Sequence, residues 1–140
     1  MRTKRSVLTV ASLAAAGVAV GVLLAPTAGA TTGDGKCTST ELCVFNDYGH
    51  NKSKGYYDLD SPALKNFHGR HYFNDGAYIG DSISSFIAGS GTSCAGYKVF
   101  VDVDFKGASL KLDRGTKGDL DSPFTSPYSD VISSYSKFGC

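Results

Sequence analysis

An all-β sandwich is the fold class that this chain predicts, and three observations predict it. Apolar and polar residues alternate along several short runs, turn-forming residues separate those runs, and one block of the pattern occurs twice. The run "YKVFVDV" places Tyr97, Val99, Val101 and Val103 on one side and Lys98, Phe100 and Asp102 on the other. "SLKLD" sets Leu110 and Leu112 against Lys111 and Asp113, and "LCVFND" and "YYDLD" behave in the same way nearer the start. Period two with Gly, Asp, Asn and Ser between the runs means antiparallel strands joined by turns. Several short strands in about 100 residues point to two packed sheets. Beyond residue 30, no window holds apolar residues at helical spacing.

Residues 1–30 are set apart by composition. Arg2, Lys4 and Arg5 open a basic start, an apolar run follows over residues 7–24, and "AGA" at 28–30 supplies small residues for cleavage. This is the pattern of a secretory signal peptide, with cleavage expected after Ala30. An uncleaved membrane anchor is the competing reading, because the run is about long enough to span a bilayer. The polar "TTGDGK" that follows favours cleavage.

The remaining residues, 31–140, make one domain by length. Three of the 14 basic residues fall before residue 31 and all 13 acidic ones after it, which leaves a net charge of −2. No cluster of Lys and Arg suits a nucleic-acid phosphate backbone. No apolar stretch after Ala30 could enter a membrane.

Cys37, Cys43, Cys94 and Cys140 all lie in the exported part. An even count in a small exported domain reads as two disulfides. Four cysteines allow three pairings. Cys37 with Cys43 and Cys94 with Cys140 is the expected one, by analogy with small disulfide-stapled domains. A zinc site lacks any Cys-x-x-Cys spacing.

The internal repeat is the most informative feature. "GDSISSF" at 80–86 and "SDVISSY" at 129–135 stand 49 residues apart. Asp81, Ile83, Ser84 and Ser85 correspond to Asp130, Ile132, Ser133 and Ser134. Val44-Phe45 corresponds to Val99-Phe100, and Gly55 to Gly107 after a first loop longer by three residues. "AGSGTSCAGY" joins the copies and reads as linker.

Phe100-x4-Phe105-x-Gly107 resembles the aromatic-x4-aromatic-x-Gly signature of βγ-crystallin Greek keys, and Asp-x-Ile-Ser-Ser sits where that family starts its fourth strand. The resemblance implies a disulfide-stapled sandwich of two Greek keys, at about 37–88 and 96–140. It also implies that Ser85 and Ser134 pin a folded hairpin from the core. Gly107 supplies the backbone conformation that a Cβ would hinder, and Ile83 and Ile132 are core residues of equivalent strands. The first key departs from the pattern, with Phe45, Tyr48 and the insertion "GHNKSK" where a tight hairpin is expected.

In microbial members of that family, Asn/Asp-Asn/Asp-x-x-Ser/Thr-Ser forms calcium sites shared between the two motifs. The resemblance therefore makes Asp81, Ser84, Asp130 and Ser133 candidate calcium ligands, in keeping with calcium's preference for hard oxygen donors. Position one is Gly80 in one copy and Ser129 in the other, so weak binding or none is expected.

Layout and cysteine placement are also similar to the Streptomyces metalloproteinase inhibitor family of secreted bacterial proteins. That resemblance implies inhibition of an extracellular protease; Thr92, Ser93, Cys94 and Ala95 are the candidate inhibitory loop, because a disulfide at Cys94 would clamp this segment between the motifs. A calcium-binding structural protein and a toxin-like surface interaction module are the alternatives, because the fold does not choose among them.

No enzyme is expected. "GTSCAG" has the wrong spacing for a nucleophile elbow, Gly69 between His68 and His71 argues for a loop, and "FNDG" reads as a turn. The expectation is a secreted monomer with no required cofactor. Mass spectrometry of the exported protein should show loss of residues 1–30 and of four thiol hydrogens. Free thiols there would contradict the disulfide scheme.

Overall fold

The computed structural model describes residues 31–140, so the expected signal peptide lies outside the described residues. In chain order the strands are β1 (Leu42–Phe45), β2 (Tyr56–Leu59), β3 (Ala63–Leu64), β4 (Ser85–Ala88), β5 (Gly96–Phe100), β6 (Ser109–Asp113), β7 (Lys117–Asp119) and β8 (Ser134–Phe138). They form two antiparallel sheets, ordered β2-β1-β4-β7 and β3-β8-β5-β6. Each repeat keeps three of its strands in one sheet and gives its third strand to the other. Strand β3 pairs with β8, and β7 pairs with β4. Among the described residues no helix is long and apolar enough to cross a membrane.

Alternation decides what faces the interior. Leu42 and Val44 of β1 stand opposite Leu59 and Tyr57 of β2, and all four belong to the core. In the second sheet Val99 pairs with Tyr135 on β8, and Tyr97 pairs with Leu112 on β6. Ile83 and Ile132 lie in the core, just ahead of β4 and β8. The odd-numbered residues of β1, Cys43 and Phe45, are buried on its opposite face. There Phe45 packs against Tyr56, and Cys43 bonds to Cys37. The second disulfide joins Cys94 to Cys140, so the expected pairing is the one present.

The hairpin after β5 shows why the strand stops where it does. Alternation runs on to Val103, yet β5 ends at Phe100. The chain then makes a 3₁₀ turn, with Asp104 at φ +57° and Phe105 at φ +62°. This brings the Phe105 ring back to 5.7 Å from that of Phe100. Gly107, at φ +74°, passes so close to the Asp102 carboxylate that a Cβ would collide with it. Ser134 closes the fold-back from below. Its hydroxyl donates to the Asp102 carbonyl at 2.6 Å and accepts the Phe105 N–H at 3.2 Å.

The first hairpin repeats this with different residues. Ser85 donates to the Asp47 carbonyl at 2.6 Å and accepts the His50 N–H at 3.2 Å. His50 has φ +60°, and its ring lies edge-on to Phe45 at 5.6 Å. His50 therefore takes the place of Phe105, at the same x4 spacing, and Tyr48 does not. The pairings Phe45–Tyr56 and Phe100–Ser109 leave residues 46–55 and 101–108 in the two hairpins. The first is longer by two residues, not three, and Gly55 occupies the register of Ala108 rather than Gly107.

Two outcomes follow from this packing. Ser134→Ala removes a fully buried hydroxyl that bonds the Asp102 carbonyl and the Phe105 N–H, at a cost of about 1–3 kcal/mol. Ser136 lies in the β8 ladder, and its hydroxyl bonds to nothing among the described residues. Chemical denaturation should show Ser134→Ala clearly weaker than Ser136→Ala, and equal losses would contradict the pinning role.

The second outcome concerns alkaline stability. Burial pushes the Tyr97 and Tyr135 hydroxyls up from 10.0 to about 12. The folded state holds these protons more tightly than the unfolded one. Their contribution is therefore full below pH 10 and is lost as the pH rises from 10 through about 12. Urea midpoints across that range should fall, and constant midpoints would contradict the assignment.

Candidate functional site

The two Asp-x-Ile-Ser-Ser segments meet across a local pseudo-twofold. Asp81 N–H donates to the Ile132 carbonyl at 3.1 Å, and Asp130 N–H donates to the Ile83 carbonyl at 3.0 Å. The symmetry extends outward. Leu120 N–H bonds the Ser84 carbonyl and Phe67 N–H bonds the Ser133 carbonyl, both at 2.8 Å. Both aspartates are left-handed, at φ +60° for Asp81 and +56° for Asp130. Asp tolerates this conformation better than most side chains.

Each aspartate is thereby turned toward the serine of the other repeat. Ser84 Oγ donates to Asp130 Oδ1 at 2.9 Å, and Ser133 Oγ donates to Asp81 Oδ1 at 2.8 Å. The serines are buried and the carboxylates exposed. The structure thus brings the four candidate calcium ligands together as two crossed Asp–Ser pairs, each drawing one residue from each repeat.

The pairs are not equivalent. Ser84 Oγ also lies 3.0 Å from the Asn46 carbonyl, so three oxygen atoms gather around the Asp130 pair. Ser129, at position one of that copy, approaches Asp130 Oδ2 at 3.3 Å and the Tyr48 hydroxyl at 3.4 Å. At the Asp81 pair, His68 Nε2 lies 3.9 Å from Asp81 Oδ2. The His68 ring fills the space where a side chain at position 80 would stand, and a Cβ on Gly80 would collide with it. Gly80 therefore gives up a ligand position and accommodates a histidine beside the acid.

The other sequence candidates lie elsewhere. In the 92–95 segment Thr92 and Cys94 are buried, while Ser93 and Ala95 are exposed. The segment is anchored by Gly91 N–H on the Ser39 carbonyl and by Ala95 N–H on the carbonyls of Phe138 and Gly139. His71 Nδ1 contacts the Gly76 carbonyl across the turn that "FNDG" forms, so the two histidines serve separate structures.

A βγ-crystallin-like sandwich is what this topology defines: two antiparallel sheets, exchanged third strands and serine-pinned hairpins. Solved structures bear this out. One, from work on the evolution of the eye lens βγ-crystallin domain fold, is 19% identical with a TM-score of 0.54, covering 75% of this chain and 91% of that one. The other, a βγ-crystallin from Ciona intestinalis, is 22% identical with a TM-score of 0.50, covering 69% of this chain and 98% of that one. Both likenesses concern the fold, and neither carries peptidase inhibition. No protein-family model and no curated protein matches the chain by sequence.

Proposed function

We propose that this chain is a secreted, monomeric, non-enzymatic module of the extracellular space whose crossed pairs bind calcium weakly, at Asp130–Ser84 more than at Asp81–Ser133. The crossed pairing carries the reading. A carboxylate, a hydroxyl and the Asn46 carbonyl converge from both repeats onto one locus, as hard-cation coordination requires. An ion held there would bind the folded state alone, because unfolding separates Ser84 from Asp130 by 46 positions of chain. Two disulfides suit an oxidising compartment.

Peptidase inhibition is the second reading. The feature in its favour is the anchoring of residues 91–95 by the Cys94–Cys140 bridge and backbone bonds, since a pre-ordered loop avoids the entropy cost of docking. The inward-facing Thr92 and Cys94 leave only alternate residues for a protease cleft. Titration of a panel of proteases, thermolysin-like zinc enzymes included, separates the readings. Loss of protease activity at stoichiometric protein supports inhibition, and uninhibited proteases support the calcium reading alone.

Millimolar calcium should raise the melting temperature by a few degrees, since a ligand selective for the native state stabilises it. The informative variants are Asp130→Gly and Asp81→Gly, because Gly removes the carboxylate without straining a positive φ. Asp130→Gly should reduce the calcium-dependent shift measurably, and Asp81→Gly should reduce it much less. A melting curve unmoved by calcium would contradict the proposal and leave both aspartates as turn residues.

A further inference from the structure

A second group of carboxylates sits on the outer face of the first sheet, away from the crossed pairs. Asp34, Glu41 and Asp58 each place one carboxylate oxygen within 4.8 Å of the others. Strand pairing creates the cluster. Cys43 stands opposite Asp58 in the β1–β2 ladder, and Glu41 lies two residues before Cys43, in the bend that leads into β1. The segment before Cys37 then folds over edge strand β2. The N–H groups of Gly33 and Asp34 reach Asp58 Oδ2, and that of Gly35 reaches Asp58 Oδ1, at 2.7–3.0 Å. Asp34 Oδ1 is held by the N–H of Lys36 at 2.8 Å.

Glu41 is the anomaly. It is the chain's sole glutamate, and it is fully buried. Its Oε2 accepts the Thr38 N–H at 2.6 Å, but its buried Oε1 has no hydrogen-bond partner. Ion pairs among the described residues are His68–Asp81 and Lys137–Asp60, so no basic side chain bridges to this cluster. A buried carboxylate with one oxygen unpaired, beside two further carboxylates, is costly unless a positive charge joins it. The chain also builds the spot to be stiff. The Cys37–Cys43 bridge encloses Glu41, and three N–H groups cradle Asp58.

We propose that Asp34, Glu41 and Asp58 bind one divalent cation, of the hard, oxygen-seeking calcium type. The donors are all carboxylate oxygens. The neighbouring cysteines are oxidised and no histidine belongs to the cluster, which disfavours zinc and copper. Three carboxylates supply more charge than the single one at each crossed pair, so this site binds calcium more tightly than those do. An ion here fastens the leading segment onto edge strand β2, covering an edge open to pairing with other chains.

The test uses protein recovered after expression of the full 140-residue chain, carrying Asp81→Gly and Asp130→Gly so that the crossed pairs are silent. Calcium is titrated by calorimetry. Terbium, a luminescent stand-in, is titrated with tyrosine excitation, which the chain's eight tyrosines and lack of tryptophan allow. One equivalent of either ion should bind. Adding Asp34→Asn, at an exposed residue whose loss leaves the fold intact, should weaken binding roughly tenfold or more. Glu41→Gln should do the same. Absence of heat and luminescence would overturn the proposal. Unchanged affinity in Asp34→Asn would overturn it as well. Failure of the crossed-pair reading alone appears differently, as equal calcium binding with and without the two glycine substitutions.

Discussion

Two reciprocal backbone hydrogen bonds, Asp81 to Ile132 and Asp130 to Ile83, organise the molecule. They tie the start of each fourth strand to its counterpart at the centre of the sandwich. With that register set, Ile83 and Ile132 enter the core and the following serines are distributed by position. Ser84 and Ser133 meet the opposite aspartates, and Ser85 and Ser134 meet the hairpins of their own repeats. A slip of one residue would reverse every one of these assignments, because side chains in a strand alternate between faces. Core packing, hairpin fold-back and the crossed pairs are therefore one constraint with three consequences.

Within that symmetric frame the repeats have diverged where their side chains leave the core. One aspartate shares its surroundings with oxygen atoms from Ser84, Asn46 and Ser129, and the other with the His68 ring. The glycine at position 80 is what admits the histidine. The first hairpin likewise carries two extra residues and places a histidine where the second places a phenylalanine. Both differences leave the reciprocal bonds untouched, since they lie in loops whose ends are fixed by strands.

Features set by period two and by repetition were legible in the sequence: the all-β class and the equivalence of Val44-Phe45 with Val99-Phe100, while the pinning serines and the four residues of the crossed pairs came from the resemblance to βγ-crystallins. Features set by long-range pairing were not. Strands β3 and β7 have two and three residues, too few for alternation to register. Asp34, Glu41 and Asp58 are scattered along the chain and converge only when β1 pairs with β2. Strand β5 ended early because left-handed Asp104 and Phe105 turn the chain back, and alternation continues through such a turn without marking it. His50 is hidden from the aromatic-x4-aromatic signature by being an imidazole, although its spacing from Phe45 equals that of Phe105 from Phe100.

If the crossed pairs hold calcium as proposed, each locus at the pseudo-twofold is assembled from both repeats at once. Amide chemical shifts of ¹⁵N-labelled protein during a calcium titration test it most directly. The account predicts that the amides of Ser84 and Asp130 move together with one shared midpoint, while those of Val99 and Leu112 in the strand interiors of the other sheet stay still. Movement of Asp130 with Ser84 unmoved, or no movement at either, would contradict it.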